Sequence, residues 1–576
     1  MDQKNLIVAI ALSVAILVGF QYLMPRPHVV VATDAPIAAT PTPAGPVAGS
    51  PVAQPGSAGA QAVPREVPRL PIDAPEVRGS ISLLGARIDD LLLRDYRDTI
   101  DPASPLVRLL EPRADPQPYF VQFGWTAAPG STVAVPGDDT VWAGTGPLSA
   151  GHPVTLSWDN AQGQVFEIAL SVDDHYMFTV QQRVRNTAAT AVSVYPWSRI
   201  RRDYTPETAG YYILHEGLLG VLGGTLKEVK YSAAKSDGEK NNGLALTATG
   251  DGGWAGFTDK YWLTALIPDQ TSPQIASFRH LTLPGDAYQV DFLAKDAQTA
   301  GPGATASQTS HMFAGAKEVH LLDSYESALS IPKFSYAVDW GLFSFITKPF
   351  FYAIDWLNNF LGNFGLAILV FTVFIKLLFF PLANKSYRSM SKMKLLGPKM
   401  TALREQYKDE PAKLQSAMMG LYKTEGVNPA SGCLPMVIQI PVFFSLYKVI
   451  FITIEMRQAP FFGWIHDLSA IDPTNVFNLF GLLPFDPTLI SPMLHLGAWP
   501  LIMGVTMFLQ QRLNPPPPDP VQARLFQFMP IIFTFMLARF PAGLVIYWSW
   551  NNTLTILQQW LIMRQTRLAK PSLARG

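Results

Sequence analysis

Five long apolar runs fill most of the chain beyond residue 363, at about 364 to 382, 433 to 453, 493 to 511, 526 to 540 and 543 to 563. A backbone in hydrocarbon has no water to satisfy its amides and carbonyls, so runs of this length are predicted to be α-helices crossing a layer about 30 Å thick. The stretch Leu6 to Leu23 adds 18 residues without a charge. It exceeds the apolar region of most cleaved leaders and reads as an anchor over 1–24, with cleavage near the small residues around Ala32 as the alternative.

The remaining sequence has a different character. Residues 25–69 are rich in Pro, Ala, Gly and Val, which cannot build a core, so this segment is predicted to be a tether that decouples what it joins. Residues 70–335 hold alternating stretches such as Val165-FEIALSV, Met177-FTVQQRV and Tyr288-QVDFLA between Gly, Asp, Asn and Pro turns, the pattern of an all-β sandwich large enough for its own core. Its tryptophans, among them Trp125, Trp142, Trp158, Trp197 and Trp254, are expected in that core, a sugar cleft being the alternative. Residues 336–362, aromatic and interrupted at Pro349, are too polar to span and read as an interfacial amphipathic helix. The piece Val476-FNLFGLLPF is too brief to cross and is expected at the interface.

Lysine and arginine positions orient the spans. Lys385, Arg388, Lys392, Lys394, Lys399, Arg404, Lys408, Lys413 and Lys423 crowd one connection, and Arg564, Arg567, Lys570 and Arg575 follow the last span, so both are expected in the cytoplasm. The connection from Glu455 to His495 carries Arg457 against Glu455, Asp467, Asp472 and Asp486 and suits the outer side, as does the β-domain. With six spans both termini are cytoplasmic. Within the basic loop, Met393, Leu396, Met400, Leu403 and Tyr407 make one apolar stripe, and Leu414, Met418 and Leu421 repeat it after a turn at Lys408-Asp-Glu-Pro411. A helical hairpin over 384–425, ended by Asn428-Pro429, is predicted, either as a self-packed unit or as a docking element.

One charge stands out among the spans. Lys376 lies roughly 18 Å into its run and roughly 13 Å short of Lys385, at about 1.5 Å of rise per residue. No Asp or Glu occurs in this or any other strongly hydrophobic span of the C-terminal half. A lysine so placed usually faces protein or a wet cavity, here one open toward the Lys385 side, a snorkelling side chain being the plainer alternative. Thr372, one turn earlier, Gln439 between Pro435 and Pro441, and the polar series Ser549, Asn551, Asn552, Thr555, Gln558 and Gln559 point to a polar groove in a small bundle, interhelical hydrogen bonding being the plainer alternative. Lys448 and Arg539 fall near helix ends and read as snorkelling side chains.

Composition excludes several classes. A formal net charge of zero disfavours nucleic-acid binding, and the single cysteine, Cys433, forms no disulfide or metal pair. Neither a phosphate-cradling GxxxxGK[ST], a zinc-binding HExxH nor a GxSxG elbow is present, so no cofactor, metal or nucleotide and no enzymatic chemistry is expected.

The runs Asn428-PASGCLPMVIQIPVFFSLY, Arg457-QAPFFGWIHDLSAIDP and Phe528-MPIIFTFMLARFPAGLVIYW resemble the YidC family of bacterial membrane protein insertases, and the likeness extends over essentially the whole chain. The resemblance implies a polytopic α-helical inner-membrane protein with six transmembrane helices, an insertase core over 363–565, an all-β periplasmic sandwich and a basic cytoplasmic tail over 566–576. It implies an insertase and chaperone for newly made membrane proteins, working alone or beside the Sec translocon, with a hydrated groove bearing one positive charge. Ribosomes, through the hairpin and tail, and membrane lipids are the further partners. The groove charge, described as arginine in the family, is Lys376 here, which keeps the charge and loses the planar fork. Family contacts along the third and fifth spans would fall near Gln439, Ile440 and Met536, while Arg539 replaces a usual aromatic. The alternative, a solute or ion transporter, calls for paired ionisable residues and related halves.

Overall fold

The computed structural model describes residues 68–568 apart from 211–212, 284, 409, 427–433, 492–493 and 515–519. The expected anchor, the tether up to residue 67, Cys433, the Asn428-Pro429 stop and the tail from 569 lie outside those residues.

Alternation of apolar and polar side chains builds two antiparallel sheets that face each other. One has ten strands along the path Arg69–Asp73, Val77–Ser82, Arg87–Arg97, Tyr119–Ala127, Val192–Arg202, Gly285–Ala294, Pro273–Leu283 and Leu244–Asp251, with Leu106–Leu110 and Gln298–Ala300 added at its sides. The other has eight, in the order Thr225–Lys230, Gly217–Leu222, Trp254–Thr258, Trp262–Ile267, Thr305–Ala316, Met177–Asn186, Gln164–Val172 and Val154–Asp159. In Gln164–Val172 every second residue, from Gln164 through Phe166, Ile168 and Leu170 to Val172, turns inward. Trp125, Trp142 and Trp254 are buried in the sandwich core, as expected of packing residues.

Eleven helices are numbered here: α1 Tyr231–Lys240, α2 Val319–Ala328, α3 Ser344–Leu361, α4 Phe364–Leu378, α5 Phe380–Leu395, α6 Gly397–Gln406, α7 Pro411–Thr424, α8 Leu434–Ile452, α9 Ala498–Leu513, α10 Pro520–Leu537 and α11 Ala542–Leu568. Among the described residues no single helix is long and apolar enough to cross a membrane by itself. The α4–α5 pair meets that test only jointly, with a bend of 67° between Phe364–Leu378 and Phe380–Met390.

Three sequence expectations change. Helix α3 runs unbroken through Pro349, because the proline sits early in the helix, where the one missing amide leaves the following turns intact. The run expected over 364–382 stops at Leu378, since Pro381 has no amide to return to Leu377 and the chain turns there. The stripe from Met393 to Tyr407 is divided between α5 and α6 at Gly397-Pro398 for the same reason. No residue of α6 is buried.

The sandwich does not hang free of the helices. One apolar core continues from it through Val319, Leu322, Trp340, Phe351 and Ile354 to Val449, Ile450 and Tyr547. Polar bonds reinforce this seat. Lys448, expected to snorkel, instead pairs with Asp339 at 2.7 Å, and both side chains are largely enclosed. Asp339 also accepts the His215 amide at 2.9 Å. Glu455, just past α8, accepts the Val319 amide at 2.9 Å and so caps the N-terminus of α2 from outside the sandwich. Arg457 donates to the Arg97 carbonyl at 2.5 Å, and the Lys260 ammonium lies 3.8 Å from the Phe451 ring centre.

Burial, with Glu318 and Asp355 nearby, pushes the Glu455 carboxyl up to about 7 from 4.5. A raised value means that the seated arrangement binds the proton more tightly than a separated one. The contribution is therefore fully present below the ordinary carboxylate range and is lost as pH rises through about 7. Hydrogen exchange, corrected for intrinsic rate, should show protection of the first turn of α2 falling between pH 5 and 8. Glu455→Gln keeps the acceptor and should flatten that dependence; an unchanged slope would remove Glu455 as its source. In the same experiment α6 should exchange faster than α4 or α11, because nothing in it is buried.

Candidate functional site

Helices α4, α5, α8, α9 and α11 enclose a cavity of about 360 Å³. Apolar residues such as Ile375, Phe379, Val442 and Phe443 share its wall with Lys376, Tyr387, Gln439, Gln510, Asn514, Tyr547, Asn551, Thr555, Gln558 and Gln559. Each polar group is fixed by its helix. Asn363 caps α4 by accepting the Leu366 amide at 3.0 Å, which sets the rotation that carries Lys376 inward. Lys376 Nζ donates to Thr555 Oγ1 at 2.9 Å, and Gln439 Nε2 donates to the Tyr547 hydroxyl at 3.0 Å.

Lys376 has no carboxylate partner among the described residues. It occupies the last turn of α4, next to the bend at Phe379. The free carbonyls of a helix C-terminus carry about half a negative charge, which favours a cation there without supplying a counter-ion. Sequence reasoning missed this because it took the helix to run on to residue 382. Asn551 Oδ1 and Gln558 Nε2 are enclosed without hydrogen-bond partners within the protein. Buried polar atoms of this kind want water or a visiting polar group, so the cavity can host either.

The five sequence-predicted residues divide. Lys376, Gln439 and Ile440 line the cavity together. Thr372 is buried one turn deeper and returns its hydroxyl to the Ile368 carbonyl at 2.7 Å, satisfied within its own helix. Met536 is half-exposed on α10 among Ile531, Ile532 and Phe535, on an outward apolar face and outside the cavity lining. Tyr387, Gln510 and Asn514 were not singled out from sequence. They come from the bent-back α5 and the end of α9, whose approach depends on long-range packing.

Close contacts hold the wall. On α9, a Cβ at Gly504 would lie 2.1 Å from Thr534 Oγ1 of α10, so glycine permits that approach. The Asn552 amide of α11 reaches Thr506 at 3.3 Å, and Trp550 Nε1 donates to the Leu369 carbonyl at 3.1 Å. Outside this bundle the surface is apolar: Phe374, Leu377, Leu378, Val505, Leu509, Phe528 and Leu557 are all largely exposed.

Two family models and relatives matched over most or all of their length agree on family. The family model described as 60Kd inner membrane protein matches residues 356–570, and that described as YidC periplasmic domain matches residues 69–353. A protein of Granulibacter bethesdensis named membrane protein insertase YidC is 59% identical over the full length of both chains. One of the same name from Acidiphilium cryptum is 58% identical over 87% of this chain and 85% of its own. A crystal structure of an active YidC insertase with its first transmembrane domain resolved is similar at 17% identity and a TM-score of 0.35, covering 86% of this chain and 92% of that one.

Because a side chain at residue 504 must displace Thr534, Gly504→Val should separate α9 from α10 and destabilise the bundle by on the order of 2 kcal/mol. Thermal unfolding in detergent checks this.

Proposed function

Because this chain belongs to the YidC family of membrane protein insertases, whose members are not enzymes, we propose that the cavity around Lys376 is the hydrated groove through which it passes polar segments of its clients. The protein is an inner-membrane protein with a periplasmic β-sandwich domain, and its clients are newly made membrane proteins. The observation that carries the groove reading is the combination at one place of a cation without a carboxylate, enclosed polar atoms without partners, and walls whose outer faces are apolar and exposed.

In this reading the N-terminal anchor and the runs of α4, α8, α9, α10 and α11 are six crossings, with both termini and the hairpin of 384–425 in the cytoplasm. Helix α3 lies in the outer interface, as its exposed Phe345, Trp356 and Phe360 and the exposed Leu342 just before it suit. A client with a short acidic or polar tail is attracted by the Lys376 charge and finds hydrogen-bond partners in Asn551, Gln558 and Gln439. Its apolar helix then leaves sideways by hydrophobic partitioning, which supplies the free energy without a nucleotide. Binding through one unpaired cation recruits and still releases. The same lateral path suits a chaperone role in folding, with the Sec translocon as a neighbour and the ribosome met by the basic hairpin and tail. The transporter alternative calls for paired ionisable groups at the site; Lys376 meets a hydroxyl instead.

Lys376→Arg should preserve insertion, whereas Lys376→Ala and, more strongly, Lys376→Glu should impair clients with acidic translocated tails and spare neutral ones. Protease protection of such tails, in cells depleted of the native protein and at matched expression, is the readout. Equal insertion of acidic tails by the wild type and Lys376→Glu would remove the charge from the mechanism.

A further inference from the structure

The loop between α8 and α9 carries an apolar surface that the groove does not use. Leu479, Phe480, Leu482, Phe485, Leu489 and Ile490 are all exposed, Leu482 and Leu489 by more than four-fifths. No ionisable residue occurs from Pro473 to Phe485. In water so many large apolar side chains on one loop would be unfavourable, and their arrangement is not accidental floppiness. Leu479 and Phe480 are adjacent and both left-handed, with φ of 52° and 59°, a conformation uncommon for non-glycine residues.

The loop holds that shape by satisfying its own backbone. The Asn475 side chain accepts the Phe477 amide at 3.0 Å, and the Phe480 amide reaches the Asn475 carbonyl at 2.8 Å. Asn478 accepts the Gly481 amide on its side chain at 2.9 Å and the Leu483 amide on its carbonyl at 3.0 Å. The base is braced as well. Buried Asp472 accepts the Trp499 amide at 2.9 Å in the first turn of α9, and the Val476 amide meets the Leu496 carbonyl at 2.8 Å. Satisfying its own amides lowers the cost of holding a loop against the edge of the hydrocarbon, where water is scarce; irregular backbone facing lipid does not persist deeper than that edge.

We infer that the loop 476–490 is a preformed apolar wedge seated at the outer interface of the bilayer, its apolar side chains against the edge of the hydrocarbon, with lipid as its occupant. Its surface continues that of the helices it joins, since Phe444 on α8 and Ile502 and Val505 on α9 are also exposed and apolar. The inference rests on the reading of α8 and α9 as membrane-crossing helices. A second protein chain is the other conceivable cover. Such a partner would ordinarily meet a polar rim around an apolar centre, whereas here thirteen consecutive residues carry no charge and the exposed Asp486 that follows them is the one charge of the loop.

The test uses the full chain with Cys433→Ser, reconstituted in vesicles of phosphatidylethanolamine and phosphatidylglycerol. Spin labels are placed singly at Leu482→Cys, Leu489→Cys, Ile502→Cys on α9 and Ala189→Cys on an exposed turn of the sandwich. Power saturation compares access of oxygen, which concentrates in lipid, with that of a water-soluble nickel chelate. Several-fold greater oxygen than nickel access at 482 and 489, matching 502 and opposite to 189, is the expected result. Nickel access at 482 and 489 like that at 189, with 502 still in lipid, overturns the wedge and leaves the membrane-crossing reading standing. Exclusion of both reagents at 482 and 489 overturns lipid in favour of a protein cover. Nickel access at 502 overturns the crossing reading and the wedge with it.

Discussion

Removing a charge from water is the constraint on which this molecule turns, because an ion in a low-dielectric interior must be paired, bonded or wet. Two lysines on helices of the same bundle meet it in opposite ways. Lys448 is paired with Asp339, which itself receives the His215 amide, so its charge is neutralised and serves to seat the sandwich. Lys376 has a hydroxyl for its neighbour and opens onto a cavity with enclosed polar atoms lacking partners. The first arrangement is closed and structural. The second leaves a positive field with somewhere to act.

The sandwich is seated on the helices that follow it in the chain: a continuous apolar core, an ion pair, a carboxylate cap on α2 and the Arg457 contacts all join the two. Helix α3 adds to the seat: Lys348 and Tyr352 both bond Asp323 of α2, the lysine at 2.9 Å. Contacts of this kind resist shear better than an apolar face alone, since each fixes a direction as well as a distance. The helices past Phe364 are therefore reached mechanically from the sandwich through α2, α3 and the segment after α8.

Much of this was legible wherever the signal is local. Strand alternation in Val165-FEIALSV gave the inward set of that strand, and the apolar runs gave the helices of the bundle, because both follow from the period of one element. The cavity residues Lys376 and Gln439 were also reachable, since a lysine in an apolar run and a glutamine between prolines are anomalies in place, while Ile440 came by resemblance to the family. What escaped depends on contacts between distant segments. Nothing near Lys448 announces Asp339, and nothing near Glu455 announces Val319. Thr372 shows the limit of helical spacing: it shares a side of α4 with Lys376, yet a turn of depth separates a packed position from the cavity. Met536, carried over by resemblance to the family, stands on the outer face of α10.

The bend at Phe379 links the local and the distant. Pro381 withholds the amide that would have returned to the Leu377 carbonyl, so α4 ends just past Lys376, with the Phe379 amide closing it on the Ile375 carbonyl. The C-terminal end of a helix favours a cation through its dipoles, and dipoles differ from a carboxylate in one respect that matters here. A carboxylate would cancel the charge and, being a strong acceptor, compete with any anionic visitor for it. Dipoles favour the cation while leaving its net charge intact. The same turn sends α5 back so that Tyr387 joins the lining. A single proline thus accounts for where the cation stands along its helix and how one side of its cavity is closed.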